Sequence, residues 1–158
     1  MFEDTITIFN RKYNSGNRDY NYYRTYLSNV NVDKKKAVNV IKSGLENASS
    51  GTIIIPTSYL DSEDKTYISP KKYQQLSEEA EEVEETGDEE EETTKAEIED
   101  YFTLQEGDIV IIGEVDYQID EDNTLTNLKT SYDDVYEIVS IDDKLKGGLP
   151  HWEVEIKW

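Results

Sequence analysis

The 158 residues carry 36 Asp and Glu against 16 Lys and Arg, one His and no Cys, for a formal charge of −20. Without cysteine there is no disulfide framework, no CxxC redox pair and no thiolate metal site, so the fold must rest on its apolar core. The charge also argues against affinity for a nucleic-acid backbone, which needs Lys and Arg to displace counterions. It is unevenly placed: residues 1–76 hold 8 acidic and 11 basic side chains, and residues 77–100 hold 14 and 1. The start, Met1-Phe2-Glu3-Asp4, has no basic n-region or apolar h-region, and the longest apolar runs, Ile53–Ile55 and Ile109–Ile112, are too short to span a bilayer. A soluble chain without a signal peptide is expected.

Thr5-Ile6-Thr7-Ile8-Phe9 alternates apolar and hydroxyl residues, as in a strand with one buried face. Asn14-Ser15-Gly16-Asn17 is a turn signal, and Tyr20–Leu27, with four Tyr, reads as the returning strand of a hairpin. Leu27–Val32 resumes the alternation, predicting a third strand or a bent continuation of the second. After Lys34–Lys36 the period of Ala37–Leu45 is ambiguous, and Gly51–Pro56 is a short strand ended by proline. Ser69 before Pro70 is the N-cap and first residue of a short helix, with Tyr73 and Leu76 on its buried face.

The run Glu78–Asp100 contains 12 Glu and is interrupted by Thr86-Gly87-Asp88, so a mobile loop with fraying helical turns is expected. Leu104–Asp108 is a turn into the strand Ile109–Ile112. Gly113 closes that strand, and Val115–Ile119 alternates as if pairing back on it in a tight hairpin. Asp120–Thr126 is a polar turn, Val135–Ile141 a strand, and Trp152–Trp158 a last alternating strand after Gly147-Gly148-Leu149-Pro150. The fold class is therefore mainly β: one domain over 1–158, a small antiparallel β-barrel or sandwich with one short helix. Residues 56–104 form a long loop excursion containing the acidic insertion 78–100.

The catalytic templates fail. His151 has no nucleophile motif beside it, Gly147-Gly148 lacks the Lys and Ser/Thr of a phosphate loop, and nothing matches GxGxxG. Asp120-Glu121-Asp122-Asn123-Thr124 opens like a calcium loop, but Leu125 stands where glycine is required and Ser131 where a bidentate Glu is required. A weak surface cation site is the most those carboxylates offer. The pairs Asp133 with Asp134 and Asp142 with Asp143 point to opposite faces of extended chain. No catalytic residue, metal ligand or cofactor site is assigned, and no enzyme activity is expected. Tyr13, Tyr20, Tyr22, Tyr23 and Tyr26, with Arg11, Lys12, Arg18 and Arg24, suit either a base-stacking platform or a protein interface. Tyr and Arg enrichment favours the interface.

The order ITIFN, YYRTYLSNVNVD, GTIIIP, YISPKKY, YFTLQEGDIVIIGEVDYQID, NLKTSYDDVYEIVSIDD and HWEVEIK resembles a family of phage and prophage proteins from the structural gene cluster. That family is similar to the head-to-tail connectors (stopper or head-completion proteins) of long-tailed phages. The most specific pieces are Gly107-Asp108-Ile109-Val110 with Gly113, and His151-Trp152-Glu153-Val154; Glu155-Ile156-Lys157-Trp158 departs from the glycine-rich end expected there. The resemblance implies a virion protein of the neck, assembled in the host cytoplasm as a homo-oligomeric ring. It would sit between a portal or adaptor above and a tail-terminator or tail-tube protein below, with DNA passing through unbound and no membrane involved. An acidic collar at 78–100 would repel DNA over about 8 Å at physiological salt. The other reading of the charge is an acidic DNA mimic that blocks a host protein.

Overall fold

The computed structural model describes residues 3–14, 16, 18–41, 44–76, 98–133 and 135–157. The acidic run from 77 to 97 lies outside the described residues, and so does the expectation attached to it.

Six antiparallel strands carry the fold: β1 (Asp4–Asn14), β2 (Asp19–Ile41), β3 (Gly44–Pro56), β6 (Ile109–Ile112), β7 (Val135–Lys144) and β8 (His151–Lys157). Their order is β1-β2-β3-β8-β7-β6, and β6 pairs with both β7 and β1, so the circuit closes. Between β3 and β6 lie β4 (Thr66–Tyr67), helix α1 (Pro70–Gln74), a 3-10 turn at Ile98–Asp100 and β5 (Tyr101–Phe102). Helix α2 (Leu125–Ser131) lies between β6 and β7. No described helix is long and apolar enough to cross a membrane.

Alternation explains the interior. Ile6 and Ile8 of β1, Leu27 and Val30 of β2, Ile53 and Ile55 of β3, Val110 of β6, Ile138 of β7, and Trp152, Val154 and Ile156 of β8 form one buried cluster inside the circuit. β1 is covered on both sides, contrary to the one-faced strand expected: Thr7 and Phe9 are as inaccessible as Ile6 and Ile8. Phe9 belongs to a second cluster outside the circuit, with Ile109, Ile111, Ile119, Leu128 and Val135. This outer layer gives the molecule the section of a sandwich.

Val115–Ile119 builds that layer, and here the expected hairpin strand is corrected. The segment forms no strand; the partners of β6 are β1 and β7. Gly113 sits at φ +99° and turns the chain off the sheet. The Thr7 hydroxyl then donates to the Gly113 carbonyl at 2.8 Å and accepts the Val115 N–H at 3.1 Å, taking the place of a ladder. The alternation survives as packing, since Val115, Tyr117 and Ile119 all face the outer cluster.

β2 is the bent continuation foreseen at Leu27–Val32. Its register against β1 slips between Ser28 and Val30, where Asn29 bulges at φ +65°. Beyond the bulge β2 pairs with β3. From Lys36↔Ser49 to Ile41↔Gly44 these two strands pair only with each other among the described residues, a ribbon of about 20 Å at strand rise.

The 56–104 excursion is only partly loop. Asp61 bridges Ser28, the Glu63 carboxylate accepts the Tyr26 N–H at 2.8 Å, and the Lys65 ammonium donates to the Arg24 carbonyl at 2.9 Å. These contacts cover the edge of β2 that β3 has not yet reached. Thr66 and Tyr67 pair in parallel with Tyr101 and Phe102. Phe102 and Leu104 then enter the inner core, and Tyr67 packs on Trp152 with ring centroids 4.6 Å apart. Ser69 caps α1 as its sequence predicts, accepting the Lys72 N–H, and Tyr73 is fully buried while Leu76 is half-buried.

Candidate interaction surface

The Tyr-rich hairpin presents one face. Tyr13 pairs opposite Tyr20, and Arg11 opposite Tyr22, so strand alternation puts Arg11, Tyr13, Tyr20, Tyr22, Arg24 and Tyr26 on the same outer side. Tyr23 pairs with the buried Asn10 and Lys12 pairs with Asn21, so both belong to the other face. Arg18 lies in the turn at φ +57°. The structure thus gathers four of the five tyrosines and two of the four cations.

Two of the four rings already carry a guanidinium. The Arg11 guanidinium lies over the Tyr20 ring at 4.4 Å, the Arg24 guanidinium over Tyr26 at 5.2 Å, and Tyr13 meets Tyr20 edge-on at 5.5 Å. Arg24 also donates to the Tyr117 carbonyl at 3.0 Å and pairs with Asp116 at 3.4 Å, while the Tyr26 hydroxyl donates to the Val115 carbonyl. The guanidinium groups reduce the open ring surface of Tyr20 and Tyr26, and the neighbouring Asp116 repels phosphate.

Beside this face is a concavity of about 640 Å³, open to solvent. Tyr20 and Tyr22 of β2 and Ile119 and Leu125 opposite give it apolar walls, and Asp19, Asp120 and Glu121 line it with carboxylates. Its far wall is fixed locally. The Asp120 carboxylate accepts the N–H groups of Asp122 and Asn123, and Thr124 caps α2 by accepting the Asn127 N–H. The Asp120 carboxylate that resembled a calcium ligand therefore closes its own turn. Among the described residues no group of three or more His, Asp or Glu is placed to hold a metal.

The other acidic candidates are equally local. Asp142 pairs with Lys144 at 3.1 Å on the surface, Asp133 is exposed, and Asp134 lies outside the described residues. The His151 ring lies 2.7 Å from the Leu149 carbonyl and 3.3 Å from the Glu153 carboxylate. The Leu149 hydrogen bond, aided by Glu153, holds the His151 pKa above the usual histidine value. It braces the start of β8.

One group was assigned no role of its own from the sequence. Asp108, read as a turn residue, has no solvent exposure. Its carboxylate accepts from the Asn10 side-chain amide at 2.7 Å, the Arg11 N–H at 2.9 Å and the Gln105 amide at 2.8 Å. Burial nevertheless pushes its pKa up to about 7, against the pull of those donors. Gly107 beside it is at φ +91°, and a Cβ there would run into the Arg11 guanidinium. The Asp108 knot thus sets Arg11, and Arg11 covers Tyr20. The only sequence signal was a Gly-Asp pair entering an apolar strand.

A family model matches residues 1–157, that of a family of unknown function, DUF6751. The chain belongs to that family. No curated protein and no solved structure matches it.

Proposed function

We propose that this DUF6751 chain is a structural subunit of a phage neck, a stopper-like connector that assembles as a ring between portal or adaptor and tail and lines or gates the DNA channel. The observation that carries this reading is the β2–β3 ribbon: two strands of a closed antiparallel circuit run on together for six rungs with no third strand beside them among the described residues. A two-stranded ribbon has little stability alone in water, and its unpaired edges invite a partner chain. Motif order supports the same reading, with Gly107-Asp108-Ile109-Val110 at the entry to β6 and His151-Trp152-Glu153-Val154 opening β8. The Tyr-Arg face adds the residue types enriched in protein interfaces.

The test is reconstitution with the portal protein encoded beside it. Mass photometry and negative-stain microscopy are expected to show rings capping the portal; a chain that stays monomeric with portal present, and is missing from the neck of purified particles, overturns the reading. The charge of −20 favours a second reading, a DNA mimic directed at a basic groove on a host protein. Deletion of residues 78–97 separates the two, because a mimic loses its target while a connector still docks on the portal.

A further inference from the structure

The outer face of β2 displays, within one chain, a cation that its tyrosines accept. Arg24 lies over the Tyr26 ring at 5.2 Å and at the same time pairs with the Asp116 carboxylate at 3.4 Å, and Arg11 lies over Tyr20 at 4.4 Å. Ring plus carboxylate is thus a working guanidinium site on this face. The concavity beside it repeats the combination: Tyr20 and Tyr22 form a wall, Asp19, Asp120 and Glu121 line it, and no Lys or Arg is among the described residues that do so. Of the flanking cations, Arg11 is already held on Tyr20 and Arg18 lies in the hairpin turn. Asp19 accepts the Tyr20 N–H at 2.8 Å and Asp120 closes its own turn, whereas Glu121 makes no hydrogen bond or ion pair with another described residue. The walls are set in advance. Ladder pairing fixes Tyr20 opposite Tyr13 and Tyr22 opposite Arg11, and Ile119 packs in the outer cluster with Phe9 and Leu128.

We infer that this concavity docks an arginine-bearing segment of a protein partner, with a guanidinium against the tyrosine wall and paired with the lining carboxylates, Glu121 first. Charge and shape choose the occupant together. Carboxylates repel the phosphates of a nucleic acid, and a purely apolar segment would strip water from three of them without return. A lysine ammonium satisfies a carboxylate but lacks the planar group that stacks on a ring and meets a carboxylate with two parallel hydrogen bonds. The aliphatic stem of arginine covers the apolar wall at Ile119 and Leu125. Because both walls are already fixed, binding orders little of this chain. The contact is drawn from this chain's own geometry and does not rest on the neck reading above. It weakens as salt rises, because the charges meet at the surface.

The experiment uses the full chain, isotope-labelled for NMR at physiological salt, with the blocked peptide Gly-Arg-Gly-Arg-Gly as the probe. The backbone amides of Tyr20–Tyr22 and of Ile119–Leu125 are expected to shift together, with a Kd of about 1 mM or tighter. The citrulline peptide, of the same shape but uncharged, is expected to bind at least about tenfold more weakly, and the lysine peptide about threefold more weakly. Glu121→Lys is expected to weaken the arginine peptide about tenfold and Glu121→Gln about threefold, while Glu155→Lys, which changes the net charge equally from an exposed position on β8, costs less than about twofold. Circular dichroism reports the folding of each variant. Equal losses in Glu121→Lys and Glu155→Lys, citrulline or lysine peptides that bind as tightly as the arginine peptide, or no shift in the two segments up to about 10 mM each overturn the inference. Shifts in both segments on raising the protein concentration alone put a second copy there, and shifts with oligothymidylate put a nucleic acid there; either overturns the assigned occupant. Rings on the portal with no response in the concavity overturn this inference alone. Binding in the concavity by a chain that never joins the portal supports it and overturns the neck assignment.

Discussion

The Asn10 side chain joins Asp108 to Thr103: its amide donates to the Asp108 carboxylate at 2.7 Å and to the Thr103 carbonyl at 2.7 Å, and its oxygen accepts the Thr103 N–H at 3.1 Å. One buried side chain of β1 thereby fixes the strand leaving the excursion and the turn entering β6. Asn10→Leu takes one of three donors from the buried Asp108 carboxyl and removes the Asn10 partner of the Thr103 N–H and carbonyl, and a loss of about 3 kcal/mol is expected. Urea unfolding with an unchanged m-value is the measurement.

Asp108 gives the fold a pH dependence of defined sign. In the unfolded chain its carboxyl releases its proton near 3.8 and in the folded chain at about 7, so the unfolded state binds fewer protons between those values. Its contribution is complete below the lower value and is lost as pH rises through the upper one. A difference of about three units corresponds to about 4 kcal/mol. Asp108→Asn is expected to flatten the fall in stability between pH 4 and pH 7, even though the replacement weakens the contact with Asn10; equal slopes in both proteins would contradict this.

Two glycines with positive φ are expected to respond differently to alanine. Gly147, at φ +117°, has open space around its missing Cβ, so Gly147→Ala carries only the backbone penalty of about 1 kcal/mol. Gly107→Ala carries that and also drives the Arg11 guanidinium off Tyr20, for a total of about 2–3 kcal/mol. Thermal unfolding of the two variants side by side decides it.

Trp152 tests how the excursion is held. It packs in the inner core and against Tyr67 of β4, whose ring also meets Phe102 edge-on at 5.8 Å. Tyr67→Ala is expected to cost about 3 kcal/mol or less, to shift Trp152 fluorescence to the red, and to speed proteolysis between residues 57 and 69 before the strands of the circuit.

Part of every strand of the circuit was legible, because each alternates or is continuously apolar over that part. The bend at Leu27–Val32 was visible as an alternation that fails to stop. Val115–Ile119 misled because period two reports which side chains are buried, not whether the backbone has a neighbour; Gly113 and the Thr7 hydroxyl settle that from 106 residues apart. Helix α2 spans two turns, too few for Leu125, Leu128 and Tyr132 to establish a period, and only Thr124 at its N-cap announced it. The ribbon past Lys36 was obscured by polar and small residues with no fixed period. The tyrosines were recognisable as interface chemistry, but the concavity beside them was not. Its walls come from β2 and from a turn about one hundred residues later, and nothing in either segment names the other.

Phe102 and Leu104 lie in the same buried cluster as Ile6 and Leu27, while Tyr73 is buried on the near side of the acidic run. Severing the polypeptide between 77 and 97 would thus yield two fragments that remain mated through a shared interior. Reporter domains or split halves could be grafted at that interval, giving a tagged subunit whose fold is reconstituted from its pieces.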